Sequence, residues 1–256
     1  MTKRGLLLCG AVLTWSLIVL GQQAGPLPDL SGSWAFLQVT SDYWQVPLLG
    51  ERQRLSKSVA RVEIEQHGAN LTLRIREYCS MTIDSGTSLV RTDVPQAFWQ
   101  RARPHPLAGR IVYRDGRVEL VVPWFVNVNG AELGDPEADP LPKVPDDPRV
   151  VDQDGDGHPG MTLKVSVLGL ISGEVYVVQR LWRAYRGVLE APNLVRGTIS
   201  WEDEQSTLGA SSSWLLQSGE GRPDPVPAHS YFLLRRIVGE EPCSELLEIF
   251  SETIRR

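Results

Sequence analysis

The chain is poor in the residues from which most recognisable active sites are built. Its 256 residues include only three cysteines and four histidines. The patterns G-x-S-x-G and H-E-x-x-H and the phosphate-binding glycine loop are all missing. His67, His105, His158 and His229 fall in turns or proline-rich stretches. Basic residues are also short, 26 Lys and Arg against 31 Asp and Glu. That balance argues against nucleic acid as a partner, because phosphate binding needs a basic surface. After the first twenty residues no apolar run is long enough to cross a membrane as a helix.

What is present begins with an export signal. Lys3 and Arg4 precede an uncharged, largely apolar stretch from Leu6 to Leu20, followed by Gly21. This reads as a secretory signal peptide over residues 1–21, with Val19 and Gly21 as the small residues before the cut. The stretch is about 15 residues, short of the roughly 20 that a spanning helix needs. The expectation is a single mature β domain over 22–256, secreted or held in the periplasm or cell envelope. Loss of Lys3 and Arg4 takes the formal charge from −5 to −7. Cys9 leaves with the signal, so Cys79 and Cys243 form the expected disulfide in an oxidising compartment, the alternative being two separate buried thiols.

The periodicity is that of strands. Val62 and Ile64 alternate with Arg61, Glu63 and Glu65, and Leu71, Leu73 and Ile75 alternate with Thr72, Arg74 and Arg76 across a turn at His67-Gly68-Ala69-Asn70. A second hairpin spans Arg110 to Val122, where Asp115-Gly116 suits a type I′ turn. Further strands are expected at Trp34–Thr40, Ser80–Asp84, Met161–Leu168, Val175–Trp182, Leu194–Trp201, Ser212–Leu216 and Tyr231–Ile237, with a turn near Gly173-Glu174. Helix is expected at Gln96–Ala102 and in the tail from Ser244, a candidate cap, to Ile254; Leu246, Leu247, Phe250 and Ile254 make an apolar stripe there. The fold class is therefore all-β: an antiparallel barrel or barrel-like sandwich of about 10 to 11 strands with a short C-terminal helix. Its inward rows, among them Val62/Ile64, Leu71/Leu73, Val118/Leu120/Val122 and Met161/Leu163/Val165, read as apolar without recurring charge.

One segment, 135–160, has a different composition: an acidic loop rich in proline, ending in Asp152-Gln153-Asp154-Gly155-Asp156-Gly157. This D-x-D-x-D-G pattern resembles the calcium loops of EF-hands, dockerins and thrombospondin type 3 repeats. The resemblance implies Ca²⁺ held by the carboxylates of Asp152, Asp154 and Asp156 and the backbone carbonyl of His158. Where an EF-hand places its bidentate Glu this chain has Leu163, so another ligand is needed, with Asp146, Asp147 and Glu174 as candidates. A solvated acidic turn without metal is the alternative.

Gly32-Ser33-Trp34 opens the first expected strand and resembles the G-x-W motif of lipocalins. That resemblance implies a calycin-like barrel with Trp34 on its floor, covered by a basic residue of the last strand, Arg235 or Arg236. It also implies a bond from a middle strand to the tail, which Cys79 and Cys243 would supply. An open barrel or two-sheet sandwich competes with it. Together these features point to a calcium-stabilised binding module for a hydrophobic small molecule or an envelope component. An extracytoplasmic hydrolase and a structural, partner-binding envelope protein are the other classes left open.

Overall fold

A computed structural model describes residues 27–46, 50–102, 104–216 and 221–255; the expected signal peptide lies outside them. Eleven strands hydrogen-bond into one antiparallel sheet that closes on itself. They are β1 (Gly32–Val46), β2 (Gly50–His67), β3 (Asn70–Asp84), β4 (Val90–Asp93), β5 (Leu107–Arg114), β6 (Arg117–Asn129), β7 (Met161–Val167), β8 (Ile171–Ala191), β9 (Leu194–Ala210), β10 (Gly221–Pro223) and β11 (Tyr231–Arg236). Three short helices accompany them: α1 (Gln96–Arg101) after β4, and α2 (Cys243–Ile249) and α3 (Ser251–Arg255) at the C-terminus. None of the helices described is long and apolar enough to cross a membrane.

Closure comes from β1, which pairs with β2 along its whole length and with β11 from Trp34↔Arg236 to Val39↔Tyr231. The lower ring is β1-β2-β3-β5-β6-β8-β9-β11, eight strands, about the number whose interior side chains can fill. Trp34, Phe36, Val62, Ile64, Leu71, Leu73, Leu120, Val122, Tyr185 and Phe232 do so, all buried in one cluster. Tyr185 and Phe232 pack edge-on against Phe36 at 5.9 Å each. The apolar inward rows read from the sequence suit either a filled core or a cup, and at this level they form a filled core.

Higher up, two strands exchange neighbours. β3 pairs with β5 through residues 70–73 and with β4 at Ile83↔Thr92. β8 pairs with β6 through 179–188 and with β7 through 171–177. Since β4 also pairs with β7, the upper end closes along a different path.

The strand count matches the expectation, but its composition differs. Two segments expected to be separate strands are one, β3, and Ser213–Leu216 is a 3-10 turn and not a strand. The short β4 and β10 take their places. The turn expected near Gly173-Glu174 lies earlier, at Leu168 and Gly169, both with positive φ (55° and 66°); Gly173 is inside β8. Asp115 and Gly116 do adopt the paired positive φ values, 51° and 75°, of a type I′ turn.

The outer face of β1 and β2 carries a second core in which Leu37, Val59, Leu233, Leu246 and Phe250 are buried. It is covered by the C-terminal helices, which break at Phe250 (φ −106°, ψ 7°). Pro242, and not Ser244, occupies the cap position of α2, with no side-chain hydrogen bond. Proline suits that end because its missing N–H has no partner to lose. Cys79 is bonded to Cys243 at the first residue of α2, with Cα atoms 5.1 Å apart. A bulge leaves Cys79 without a cross-strand partner in β2, since Val59 pairs with Ser80 and Ala60 with Tyr78. An extra residue re-aims its side chain, here towards the helix.

The bond closes a loop with a sequence separation of 164. Replacing both cysteines by alanine is expected to lower the unfolding free energy by about 3 to 5 kcal/mol, read as a lower urea midpoint. A shift below about 1 kcal/mol would show that packing alone holds the tail.

Candidate functional site: a cavity with two kinds of wall

Above the filled core the barrel interior opens into a cavity of about 640 Å³, within the range usual for small-molecule sites. Along β8 the inward residues run Val177, Gln179, Leu181 and Arg183 around the cavity, then Tyr185 in the core. Along β9 they run Gln205, Asp203 and Trp201, then Ile199 in the core. One wall is largely apolar: Met161 and Leu163 from β7, Val177 from β8 and Phe98 from α1, with Asn127 and Asn129 of β6 beside them. The opposite wall is polar: Gln38 and Asp42 from β1, Arg54, Ser56 and Ser58 from β2, and Asp203 and Gln205 from β9. The apolar lining expected from the sequence thus holds for one side only.

The charged groups of this wall differ in how they are satisfied. The Arg54 guanidinium grips the buried Asp42 carboxylate, its Nε donating to both oxygens at 3.0 and 3.1 Å. Asp203 has no such clamp. Burial pushes its carboxyl above the ordinary Asp range, and the nearby Asp42 adds to the rise, against the pull of Arg54 and Arg183. The Tyr185 hydroxyl donates to Gln38 Oε1 at 2.6 Å, and burial drives both Tyr185 and Tyr78 upward, so they stay protonated. Arg183 Nε is buried without an acceptor among the described residues, while the guanidinium is a hydrogen-bond partner of Tyr185.

The acidic loop lies against the apolar side. Its body packs outside β8 and β9, where Ala131, Leu141, Val178 and Leu208 form a small buried cluster. Buried Arg180 donates to the carbonyls of Pro136 and Asp139 at 3.0 and 2.9 Å. Gln153 Oε1 accepts from Gly130 N–H at 2.5 Å, tying the loop to the end of β6. At the tip, one carboxylate oxygen from each of Asp152, Asp154 and Asp156 lies within 4.8 Å of the others. Two oxygens on opposite sides of a Ca²⁺ ion would be separated by about that distance, at 2.3 to 2.6 Å per bond.

Asp152 already accepts from the N–H groups of Gly155 (2.6 Å), Asp156 (3.1 Å) and Gly157 (2.9 Å). A carboxylate offers about four lone-pair sites, so one remains. Asp156 Oδ1 accepts from His158 N–H at 2.9 Å. Asp154 is 1 % exposed; its Oδ2 takes the Thr162 N–H at 3.0 Å while Oδ1 has no partner. Burial raises the Asp154 carboxyl above its usual range, and the charges of Asp156 and Asp152 raise it further. Of the candidates for a further ligand, Asp147 is engaged by Arg149 at 2.7 Å. Asp146 faces the same surface hollow as Asp152. Glu174 is drawn to the His158 ring, 3.9 Å from Nε2, and that ring stacks on Tyr176 at 4.3 Å.

At the floor, Trp34 is fully buried and donates from Nε1 to Leu30 O at 2.9 Å. The cation over its ring is Arg236, at 4.5 Å, and not Arg235. Residues two apart on a strand share a face, so Arg236 follows the inward Phe232 and Leu234 while Arg235 points out with Leu233. Arg236 also donates to Ser31 and Asp29 carbonyls at 2.5 and 2.6 Å.

These features define a class by architecture: a closed antiparallel barrel, filled at one end and hollow at the other. No family model matches the chain, no curated protein matches it in sequence, and no solved structure matches it.

The state of Asp203 has a measurable consequence. Its folded pKa lies above the unfolded value, so between the two the folded state binds more protons and stability falls as pH rises. Asp203→Asn removes that decline. The variant is expected to gain stability over wild type progressively as pH rises above about 4, in paired thermal melts. A difference constant with pH would mean that folding does not raise the Asp203 pKa.

Proposed function

We propose that the chain is a secreted or periplasmic, calcium-stabilised barrel that holds a small molecule, or part of an envelope component, in its upper cavity. The cavity itself carries this reading. A space of about 640 Å³ with an apolar wall facing a polar one suits a ligand with an apolar body and a polar end. The lipocalin-like Gly32-Ser33-Trp34 motif, with Arg236 over the tryptophan, supports the same reading. N-phenyl-1-naphthylamine, an uncharged apolar fluorophore, is expected to bind with enhanced emission and energy transfer from Trp201. Ser58→Phe, which intrudes on the cavity, should weaken binding at least tenfold. Absence of binding, or binding indifferent to this substitution, would remove the cup.

The calcium part rests on the three converging carboxylates and on the partnerless Oδ1 of buried Asp154. A cation there would satisfy that oxygen and quench the mutual repulsion of the three aspartates. His158 would contribute through its backbone carbonyl. A closed set of oxygen ligands leaves no position for a reacting water, so the role proposed for the ion is structural. At about 100 times its Kd, calcium should stabilise the protein by about 2.7 kcal/mol, raising the melting temperature by several degrees. Asp154→Ala should abolish the increment. A melting temperature indifferent to calcium and to chelator would reduce the loop to an acidic turn.

A hydrolytic reading gains one observation, the two carboxylates Asp42 and Asp203 in a single cavity, one clamped by Arg54 and the other raised. The clamp opposes it, since Asp42 is already committed as acceptor to Arg54.

A further inference from the structure

The charges that the inward strand rows bring into the cavity are matched within the protein. Arg54 holds the Asp42 carboxylate. The Arg183 guanidinium is bonded to Tyr185 and lies in the field of the Asp203 carboxyl. Two cations thus answer two carboxyl groups, and neither is left over for a ligand. An ionised group entering this space would find no counter-charge, and a buried charge is tolerated only when it is paired.

The uncharged polar groups are in the opposite state. Asn129 on β6 is the cross-strand partner of Gln179 on β8, and Gln179 is the partner of Gln205 on β9. Three carboxamides therefore stand side by side across neighbouring strands, at the roughly 5 Å spacing of paired residues, and all three line the cavity. Thr40 on β1 and Ser56 on β2 make a second cross-strand pair in the same lining. Gln179 is bonded to Asp203. Asn129, Gln205, Thr40 and Ser56 have no side-chain hydrogen bond among the described residues, and all four are half-buried or exposed, so their polar atoms stay accessible.

A carboxamide offers two donors and an acceptor, and a hydroxyl offers one donor and an acceptor. A row of such groups is satisfied by a ligand whose own groups both give and take hydrogen bonds. A carboxylate only accepts and an ammonium only donates, so either leaves part of the row unmatched. Sugar hydroxyls do both, at neighbouring ring positions. The next inward residue of β8 above the row is Val177, which pairs with Met161, and Phe98 and Leu163 pack with them.

We propose that the cavity takes an uncharged amphiphile with a saccharide head, the sugar hydroxyls bonding to the row Asn129, Gln179 and Gln205 and the apolar chain lying along Met161, Leu163 and Phe98. This rests on the binding-cup reading and names the class of its ligand.

The test displaces N-phenyl-1-naphthylamine from the wild-type protein with four competitors that share an octyl chain and differ in the head: octyl β-glucoside, 1-octanol, nonanoate and octylammonium, each below its micelle concentration. The glucoside is expected to act at a concentration at least tenfold below those of nonanoate and octylammonium, and also below that of octanol. Asn129→Leu combined with Gln205→Leu should bring the glucoside to the level of octanol, each read against the affinity of that variant for the probe. A glucoside no more potent than octanol on wild type would overturn the assignment, even if the double variant failed to fold. A charged competitor as potent as the glucoside would overturn it by revealing a free counter-charge in the cavity. An advantage that survives the double substitution would put the sugar elsewhere and overturn it too. Failure of the probe to bind wild type at all would strike the cup reading, and the saccharide assignment with it.

Discussion

Everything in this molecule depends on β1 being paired along both of its edges. Fifteen residues of β1 pair with β2 on one edge, and Trp34 to Val39 pair with β11 on the other, so a sheet that would otherwise expose two long edges becomes a ring. The order of strands in that ring then decides where the interior is full and where it is hollow. Eight strands surround the lower level, and their large inward side chains meet across the axis. At the upper level β3 and β8 leave β5 and β6 for β4 and β7, and the inward side chains on the polar wall become short or charged. The cavity follows from an exchange of neighbours within one continuous sheet.

That exchange also explains which parts of the fold were legible in the sequence. The lower halves of β2, β3, β5 and β6 alternate apolar and polar residues because one face is buried among hydrocarbon and the other is wet, and the hairpins were readable from that alternation. The upper half of β2, Arg52 to Ser58, does not alternate, because its inward residues Arg54, Ser56 and Ser58 face a polar cavity while the outward ones are also largely polar. Asp203 and Gln205 at the upper end of β9 conceal that strand in the same way. The residues that make the site are thus the ones that hide the strands carrying them. A usable signal existed all the same: strands that begin with strict alternation and continue in polar residues, without any turn dipeptide to stop them, imply an interior that has become polar.

Other features were legible in part because they obey local rules. The pairing of Cys79 with Cys243, the Asp115-Gly116 turn and the spacing of the three aspartates follow from residue chemistry. The choice between Arg235 and Arg236 does not. It depends on which residue of β11 lies opposite Trp34, a matter of parity fixed by the ring. The helix cap failed for a related reason. Ser244 has the right chemistry, but the disulfide at Cys243 sets where α2 begins, and Pro242 precedes it.

The acidic loop and the cavity look separate in sequence but share a wall. Arg101, the last residue of α1, donates to the Asp154 carbonyl, and Phe98 of the same helix lines the cavity. Thr162, second residue of β7, gives its N–H to Asp154, while Met161 and Leu163 on either side of it face inward. Gln153 fastens the loop to Gly130, next to the end of β6, whose Asn127 and Asn129 face the same space. Each of α1, β6 and β7, which line this side of the cavity, is therefore tied to the loop within one or two residues of the aspartate cluster. Three carboxylates crowded together repel one another, and Asp154 bears that repulsion in a buried place. The cluster thus sits at the point where α1, β6 and β7 are held together, outside the cavity they line.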